Sequence, residues 1–164
     1  MPISEAMMEA LKAQRARPEA PARPGAVRVV IDTNVLLDFW VFRDPQASAL
    51  LSLLESGRIA ALRSPETEEE FAEVIGRDAF GLPPSAQREI MEAWFALSIR
   101  AQPAPAPARC RDPLDQKFLD LAAGGHARVL VSKDKLVLKA GRALRRCGIL
   151  ALRPAEAARE LFPG

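Results

Sequence analysis

The sequence predicts an α/β fold, in which helices flank both faces of a central parallel β-sheet. From residue 27 onward, short apolar segments alternate with segments of helical periodicity. Strands that alternate with helices imply parallel pairing through right-handed crossovers. The length of 164 residues suits one domain. Hydrophobic residues make up 49% and aromatic residues 5% of the chain, so the core should consist mainly of Leu, Val, Ile and Ala.

Residues 1–26 are predicted to form an N-terminal arm. Residues 1–16 can form a short helix with Ser4 as its N-cap. The segment "ARPEAPARPG" that follows has the proline content of an extended, semi-rigid linker. The compact domain is therefore expected to span residues 27–164.

The first half of that domain contains two predicted strands. "VRVVI" is a buried strand, and "NVLLDFWVF" and "PQASALLSLLESG" are helices that follow it. "RIAAL" is a short second strand. Ser64 and Pro65 supply an N-cap and a first helical proline for the helix "ETEEEFAEVIG".

The second half begins with one long helix, "PPSAQREIMEAWFALSIR", and a proline–alanine loop, "AQPAPAPARC". Asp112 and Pro113 open a helix that runs through Ala123 and ends at two glycines. The remaining predicted elements are the strand "ARVLVS", the helical segment "KLVLKAGRALRRCG", the strand "ILAL" and the closing helix "PAEAARELF".

Composition excludes several classes of protein. Two cysteines and a single histidine, His126, make neither a disulfide framework nor a zinc site. Few cysteines suit a reducing cytosol, so a cytoplasmic location is expected. No apolar stretch approaches the roughly 18 residues that a membrane span needs, and the N-terminus lacks the apolar core of a signal peptide.

Charge is unevenly distributed although the net charge is only +2. Residues 66–92 hold eight acidic side chains against two basic ones, whereas residues 133–153 hold seven basic side chains against one acidic one. This pattern suits a cation site beside a polyanion site. Two solvated helix faces of opposite charge would produce the same pattern.

Carboxylates follow the strands of the predicted sheet. Asp32 ends the first strand and Asp134 lies just beyond "RVLVS", at the edge where α/β proteins bind ligands. Asp112 and Asp115 open the helix that precedes the strand "RVLVS". Glu70, on the acidic helix, is expected to border the core.

Most of these acids also have a structural explanation. Asp112, Asp115 and Asp134 stand where helix caps are favoured, and Glu70 belongs to an acidic run that favours a helix N-terminus. Asp32 is the hardest to explain in this way, because strand interiors disfavour Asp. Glu68 and Glu69 are expected to be solvated. The argument for a site is collective: clustered carboxylates repel one another unless they are protonated or hold a cation. An all-oxygen set without His or Cys favours Mg²⁺ or Mn²⁺.

Four segments resemble the PIN-domain nucleases, and most closely the bacterial PIN proteins classed as toxins of toxin–antitoxin pairs. These segments are "VVIDTNVLLD", "SPETEEEFAEVI", "CRDPLDQKFLDLA" and "RVLVSKDKLVL", in the order that the family shows. The resemblance covers roughly residues 27–162. It implies a PIN-like domain and a metal-dependent nuclease.

The resemblance also implies a set of site residues. The family's catalytic acids match Asp32, Glu70, Asp115 and Asp134, and the metal ligands would be Asp32, Asp112, Asp115 and Asp134. Thr33, Asn34 and Ser132 would support them. Leu136 stands where the family commonly has a second acid, which implies one fewer supporting carboxylate.

Three functions fit these observations. The first is a Mg²⁺- or Mn²⁺-dependent ribonuclease, a toxin that forms a homodimer and is restrained by a protein antitoxin, with "FWVF" (39–42) as a candidate contact patch. The second is an RNA-processing or DNA nuclease without an antitoxin. The third is a catalytically degenerate PIN-fold scaffold.

A basic stripe is the candidate surface for the RNA. Lys135, Lys139, Arg142 and Arg146 are spaced as on one helical face, and Lys133 precedes them. Such a stripe can follow a phosphate backbone. A solvated helix face would show the same spacing.

Overall fold

The computed structural model describes residues 2–162 and contains a five-stranded sheet in which every neighbouring pair is parallel. The strand order is β3-β2-β1-β4-β5. The strands are β1 Val27–Ile31, β2 Ile59–Arg63, β3 Ser98–Arg100, β4 Val129–Val131 and β5 Leu150–Leu152. This sheet and its flanking helices confirm the predicted fold class.

Eight α-helices surround the sheet in the described part of the chain. They are α1 Glu5–Arg15, α2 Thr33–Trp40, α3 Ser48–Glu55, α4 Pro65–Ile75, α5 Pro84–Ala96, α6 Gln116–Gly124, α7 Lys135–Gly141 and α8 Pro154–Leu161. Ser64 caps α4 as predicted, since its side chain accepts from the amide of Thr67. No helix among residues 2–162 is long and apolar enough to cross a membrane.

The sheet separates two hydrophobic cores. Val29 and Ile31 of β1 belong to the first core, while Val30 belongs to the second. This division follows the alternation of side chains along a strand. Because both faces are buried, the carboxyl-terminal edge of the sheet is the place where polar groups from several elements can meet.

Strand β3 is absent from the sequence-based prediction, which extended the preceding helix through Arg100. That extension is wrong, because α5 ends at Ala96 and the next residues pair with β2, Ala61 opposite Ser98. The pairing is reinforced by Arg63, whose Nε donates to the Ser98 hydroxyl over 2.6 Å. This long-range contact has no local signature in the sequence.

The helix of the N-terminal arm, α1, forms as predicted but does not stand apart. Met7 and Leu11 are fully buried in the first core, where α1 packs against α4 and α5. A domain boundary at residue 26 stays a prediction. The proline-rich segment joins two parts that pack together.

Candidate active site

The candidate site is built on the ends of two adjacent strands. Ile31 of β1 lies opposite Val131 of β4, so the residues that follow them, Asp32 and Ser132, are neighbours. The Ser132 hydroxyl donates to Oδ2 of Asp32 over 2.6 Å, and both residues are buried. The strand register therefore fixes the position and orientation of the Asp32 carboxylate.

Two of the three predicted helix caps are present. Oδ1 of Asp112 accepts from the Leu114 amide at 3.0 Å, and Oδ1 of Asp134 accepts from the Leu136 amide at 2.7 Å. The Asp115 side chain makes no capping hydrogen bond, whereas Asp32, which was not predicted to be a cap, accepts from the Asn34 amide at 3.4 Å. A capping carboxylate keeps its second oxygen for another partner, so these acids can serve both as caps and as site residues.

Ser132 links two of the acids. Its hydroxyl donates to Asp32 and accepts from the backbone amide of Asp134 at 3.0 Å. The expected supporting role of Ser132 thus has a physical basis in this hydrogen-bond chain.

Glu70 is held by two side chains from other elements. The Thr33 hydroxyl donates to its Oε2, and Nζ of Lys117 lies 2.8 Å from its Oε1. Lys117 also donates to the carbonyl of Leu114. The sequence-based prediction did not include Lys117; its place two residues after Asp115 was the available signal.

The electrostatics of the site are those of an under-neutralised carboxylate cluster. Burial, followed by the charges of four neighbouring acids, raises the pKa of Asp115 to about 6. Burial is also the main reason why the pKa of Asp32 is raised, although its hydrogen bonds oppose the shift. The acids whose charges raise the pKa of Asp115 are Asp32, Asp112, Asp134 and Glu70.

The donor set fits a hard divalent cation in chemistry and charge. All the donors are carboxylate oxygens, which Mg²⁺ and Mn²⁺ prefer. Among residues 2–162, however, no three Asp, Glu, His or Cys side chains are arranged so that they could hold a metal ion.

Lys133, predicted to bind nucleic acid, makes an ion pair instead of projecting freely. Its Nζ lies 2.6 Å from Oδ2 of Asp38, a residue of α2 that is only 3% exposed. The pair joins the β4–α7 loop, which carries Ser132 and Asp134, to the helix that follows Asp32. A role for Lys133 in nucleic-acid binding stays a prediction.

The other four basic residues do not share one helical face. Helix α7 ends at Gly141, and residues Arg142–Cys147 form a 3₁₀ helix with a tighter repeat. Lys135, Lys139, Arg142 and Arg146 are nevertheless all exposed. These four exposed cations, called here the basic stripe, follow Asp134 along the chain.

Comparison with known proteins connects this edge of the sheet to a family. The family model described as "PIN domain" matches residues 28–136, about two thirds of the chain. The chain belongs to the PIN domain family. All five candidate acids lie inside the matched segment, which ends at Leu136.

The fold of this PIN domain is also similar to a solved structure, that of PAE2754 from Pyrobaculum aerophilum. The TM-score is 0.56 at 16% sequence identity, over 90% of this chain and 99% of the other. A comparison with curated proteins gives no match. PIN domains are generally nucleases that use divalent metals, so the carboxylate cluster is the candidate nuclease site of this chain.

A second group of charged residues lies at the neighbouring strand ends and was not predicted. Glu68, expected to be solvated, is fully buried, and that expectation is wrong. It pairs with Arg63 at 2.8 Å, Arg100 at 2.6 Å and Arg15 at 2.8 Å. Glu19 completes this group, the Glu68 network, by pairing with Arg63 at 2.7 Å.

The Glu68 network keeps its carboxylate ionised. Burial alone would raise the pKa of Glu68, but hydrogen bonds from Arg100, Arg15 and Arg63 outweigh burial and hold the pKa below its ordinary value. The network joins the arm, β2, β3 and α4. It therefore fixes the helix that carries Glu70.

Proposed function

We propose that this PIN domain is a Mg²⁺- or Mn²⁺-dependent endoribonuclease that hydrolyses phosphodiester bonds. The observation that carries the proposal is the clustering of carboxylates at the strand ends, where burial, followed by the charges of the neighbouring acids, raises the pKa of Asp115 to about 6. Clustered negative charge of this kind is stabilised by a divalent cation. Family membership supplies the reaction class.

Asp32, Asp112, Asp115 and Asp134 would hold the cation. When bound, such an ion lowers the pKa of an attacking water and offsets charge on the phosphoryl oxygens. Ser132 orients Asp32 through its 2.6 Å hydrogen bond. Thr33 fixes Glu70, and Asn34, which is exposed beside Asp32, is placed to donate to a substrate phosphate.

The RNA backbone would pass over the basic stripe. Its four side chains are exposed, and the first of them, Lys135, directly follows Asp134. Phosphate contacts of this kind fix the position of a strand without reading its sequence.

The toxin role and its partners belong to the same proposal. The dimer or the antitoxin would contact the "FWVF" patch, where Phe42 is 58% exposed and packs edge-on against Phe80, whereas Phe39 is buried in the core. The antitoxin would neutralise the acids by inserting a basic side chain, since arginine forms bidentate bonds with carboxylates.

The decisive experiment compares wild type with Asp32→Asn on labelled single-stranded RNA and DNA, with Mg²⁺, with Mn²⁺ and with a chelator. Metal-dependent cleavage of RNA that is lost in Asp32→Asn supports the proposal. Asp78→Asn, which changes an exposed acid on a short 3₁₀ turn, is the matched control and should cleave normally. Cleavage of DNA alone would contradict the choice of substrate, and no cleavage by wild type would favour a scaffold.

Two further measurements separate toxin from processing enzyme. Expression of wild type should arrest growth, while Asp32→Asn should not. Coexpression with the product of a neighbouring small gene should relieve the arrest if an antitoxin exists. A protein that cleaves RNA, stays monomeric and does not slow growth would contradict the toxin role.

A further inference from the structure

A cleft of about 340 Å³ lies between the proline–alanine loop and α7, outside the carboxylate cluster. Its lining has two kinds of side chain, apolar and cationic. The apolar residues include Leu136, Ala140 and Ala143, and the cationic residues are Arg109, Arg111 and Lys139. This volume is within the range of small-molecule sites.

The cleft adjoins the candidate active site on two sides. The backbone amide of Leu136 donates to Oδ1 of Asp134 over 2.7 Å, so the residue that lines the cleft also holds a site acid. On the loop side, Arg111 directly precedes Asp112. A molecule in the cleft would therefore lie beside the carboxylates.

The charge of the cleft selects an anionic occupant. All its charged lining residues are basic, and Arg109, Arg111 and Lys139 are exposed. Within residues 2–162, none of these three pairs with a carboxylate. Unpaired cations around an apolar floor suit a ligand that has both a flat apolar part and a phosphate.

We propose that this cleft holds one nucleotide of the strand that is cleaved, with its base against Leu136, Ala140 and Ala143. Arg109, Arg111 and Lys139 would bind the flanking phosphates, and an arginine plane can stack on a base where no aromatic residue is present. The inference rests on the proposed nuclease function and adds a subsite to it. The leucine at position 136 would then be part of the substrate site.

The test is nuclear magnetic resonance titration of the metal-free Asp32→Asn protein with ribonucleoside 5′-monophosphates, deoxyribonucleoside 5′-monophosphates and ribose 5-phosphate. Amide signals of residues 108–111 and 136–143 should shift with the nucleotides. The nucleotides should bind about tenfold or more tighter than ribose 5-phosphate, because the base adds stacking contacts. Preference for ribo- over deoxyribonucleotides would identify RNA as the source of the occupant.

Ala143→Phe should fill the cleft and weaken nucleotide binding about tenfold, while Ala49→Phe, at an exposed position of α3, should bind normally. Proton spectra of both variants check folding, and Arg111→Gln is a second variant that leaves the floor intact. Equal shifts with ribose 5-phosphate or a tetraglutamate peptide would show a general anion surface and overturn the proposal. Binding in the cleft without RNA cleavage would instead overturn the nuclease function alone.

Discussion

Nζ of Lys117 lies 2.8 Å from Oε1 of Glu70, and the Thr33 hydroxyl engages the other oxygen of the same carboxylate. Glu70 is thus the one candidate acid in the described chain for which the structure gives an ion-pair partner. The Lys117 side chain is only 14% exposed, so solvent competes little for it. Glu70 is not one of the four proposed metal ligands, so a cation in the cluster gains the negative charge of Glu70 only by displacing Lys117.

Lys117→Met should therefore raise the affinity for Mn²⁺ and Mg²⁺. The removed ion pair is partly exposed and is worth up to about 1 kcal/mol, so the gain should be about fivefold or less. Calorimetric titration of the metal-free protein measures it. Lys12→Met, on the exposed face of α1, should leave the affinity unchanged. A lower affinity in Lys117→Met would mean that Lys117 organises the ligands and does not compete with the metal.

The raised pKa of Asp115 predicts a pH dependence of stability without metal. Between its ordinary value of 3.8 and about 6, the folded protein holds a proton that the unfolded chain has released. Stability from this group is therefore complete below pH 3.8 and is lost as the pH rises through about 6. Asp115→Asn should lack this loss. The difference in the free energy of unfolding between Asp115→Asn and wild type should therefore grow in favour of the variant from pH 4 to pH 6 and then level off.

Urea unfolding in the presence of a chelator, at intervals from pH 3.5 to 7.5, measures this difference. The Asp115 side chain makes no capping hydrogen bond, so the substitution removes charge without removing a cap. The free energy of unfolding of Asp78→Asn, which changes an exposed acid, should vary with pH in the same way as that of wild type. If the pH dependence of Asp115→Asn also matched wild type, the carboxylates of the cluster would not repel one another in the metal-free state.

Glu68→Gln should be among the most destabilising single substitutions in this protein. The substitution leaves Arg63 without a charged partner on α4, and Arg63 is only 2% exposed. Loss of one member of a buried ion pair costs about 3–5 kcal/mol. Glu69→Gln is the matched control: its side chain is 50% exposed and pairs with Arg15 alone, so the cost should be under about 1 kcal/mol.

Thermal and urea unfolding at pH 7 compare the two variants. Because the pKa of Glu68 is lowered from 4.5, its contribution is complete above pH 4.5 and is lost as the pH falls through the folded value. The difference in the free energy of unfolding between wild type and Glu68→Gln should therefore become smaller as the pH falls. A gap that stays constant would assign the effect to packing.

Replacement of the basic stripe by glutamine should weaken binding of uncleaved RNA equally for all sequences. Each phosphate contact on a single strand contributes about −0.7 to the log–log slope of affinity against salt, so the fourfold variant should have a shallower slope. The measurement uses the Asp32→Asn background at several salt concentrations. An unchanged slope would show that Lys135, Lys139, Arg142 and Arg146 are merely solvated.

The sequence was sufficient for what depends on local pattern. The alternation of strands and helices, the caps at Ser4 and Ser64, and the position of Asp32 at a strand end were all readable, because each depends on a few neighbouring residues.

The features that the sequence did not predict depend on contacts between residues that are far apart in the chain. Glu68 resembles its solvated neighbours in sequence, and its burial is explained only by arginines from the arm and from two strands. Lys117 and Lys133 likewise look like ordinary surface lysines until Glu70 and Asp38 are placed beside them. A charge pattern shows how many ionic groups are present, and not which of them meet.

The docking of α1 has a consequence for the order of events during synthesis. Arg15 and Glu19 find their partners 53 and 81 residues later in the chain, at Glu68 and at the amide of Arg100. Synthesis proceeds at about 5–20 residues per second, so roughly 4 to 16 seconds separate the translation of Glu19 from that of Arg100 in β3. Until α4 and α5 have been translated, Met7 and Leu11 lack the helices against which α1 packs, so α1 docks only after much of the sheet and its helices have been made.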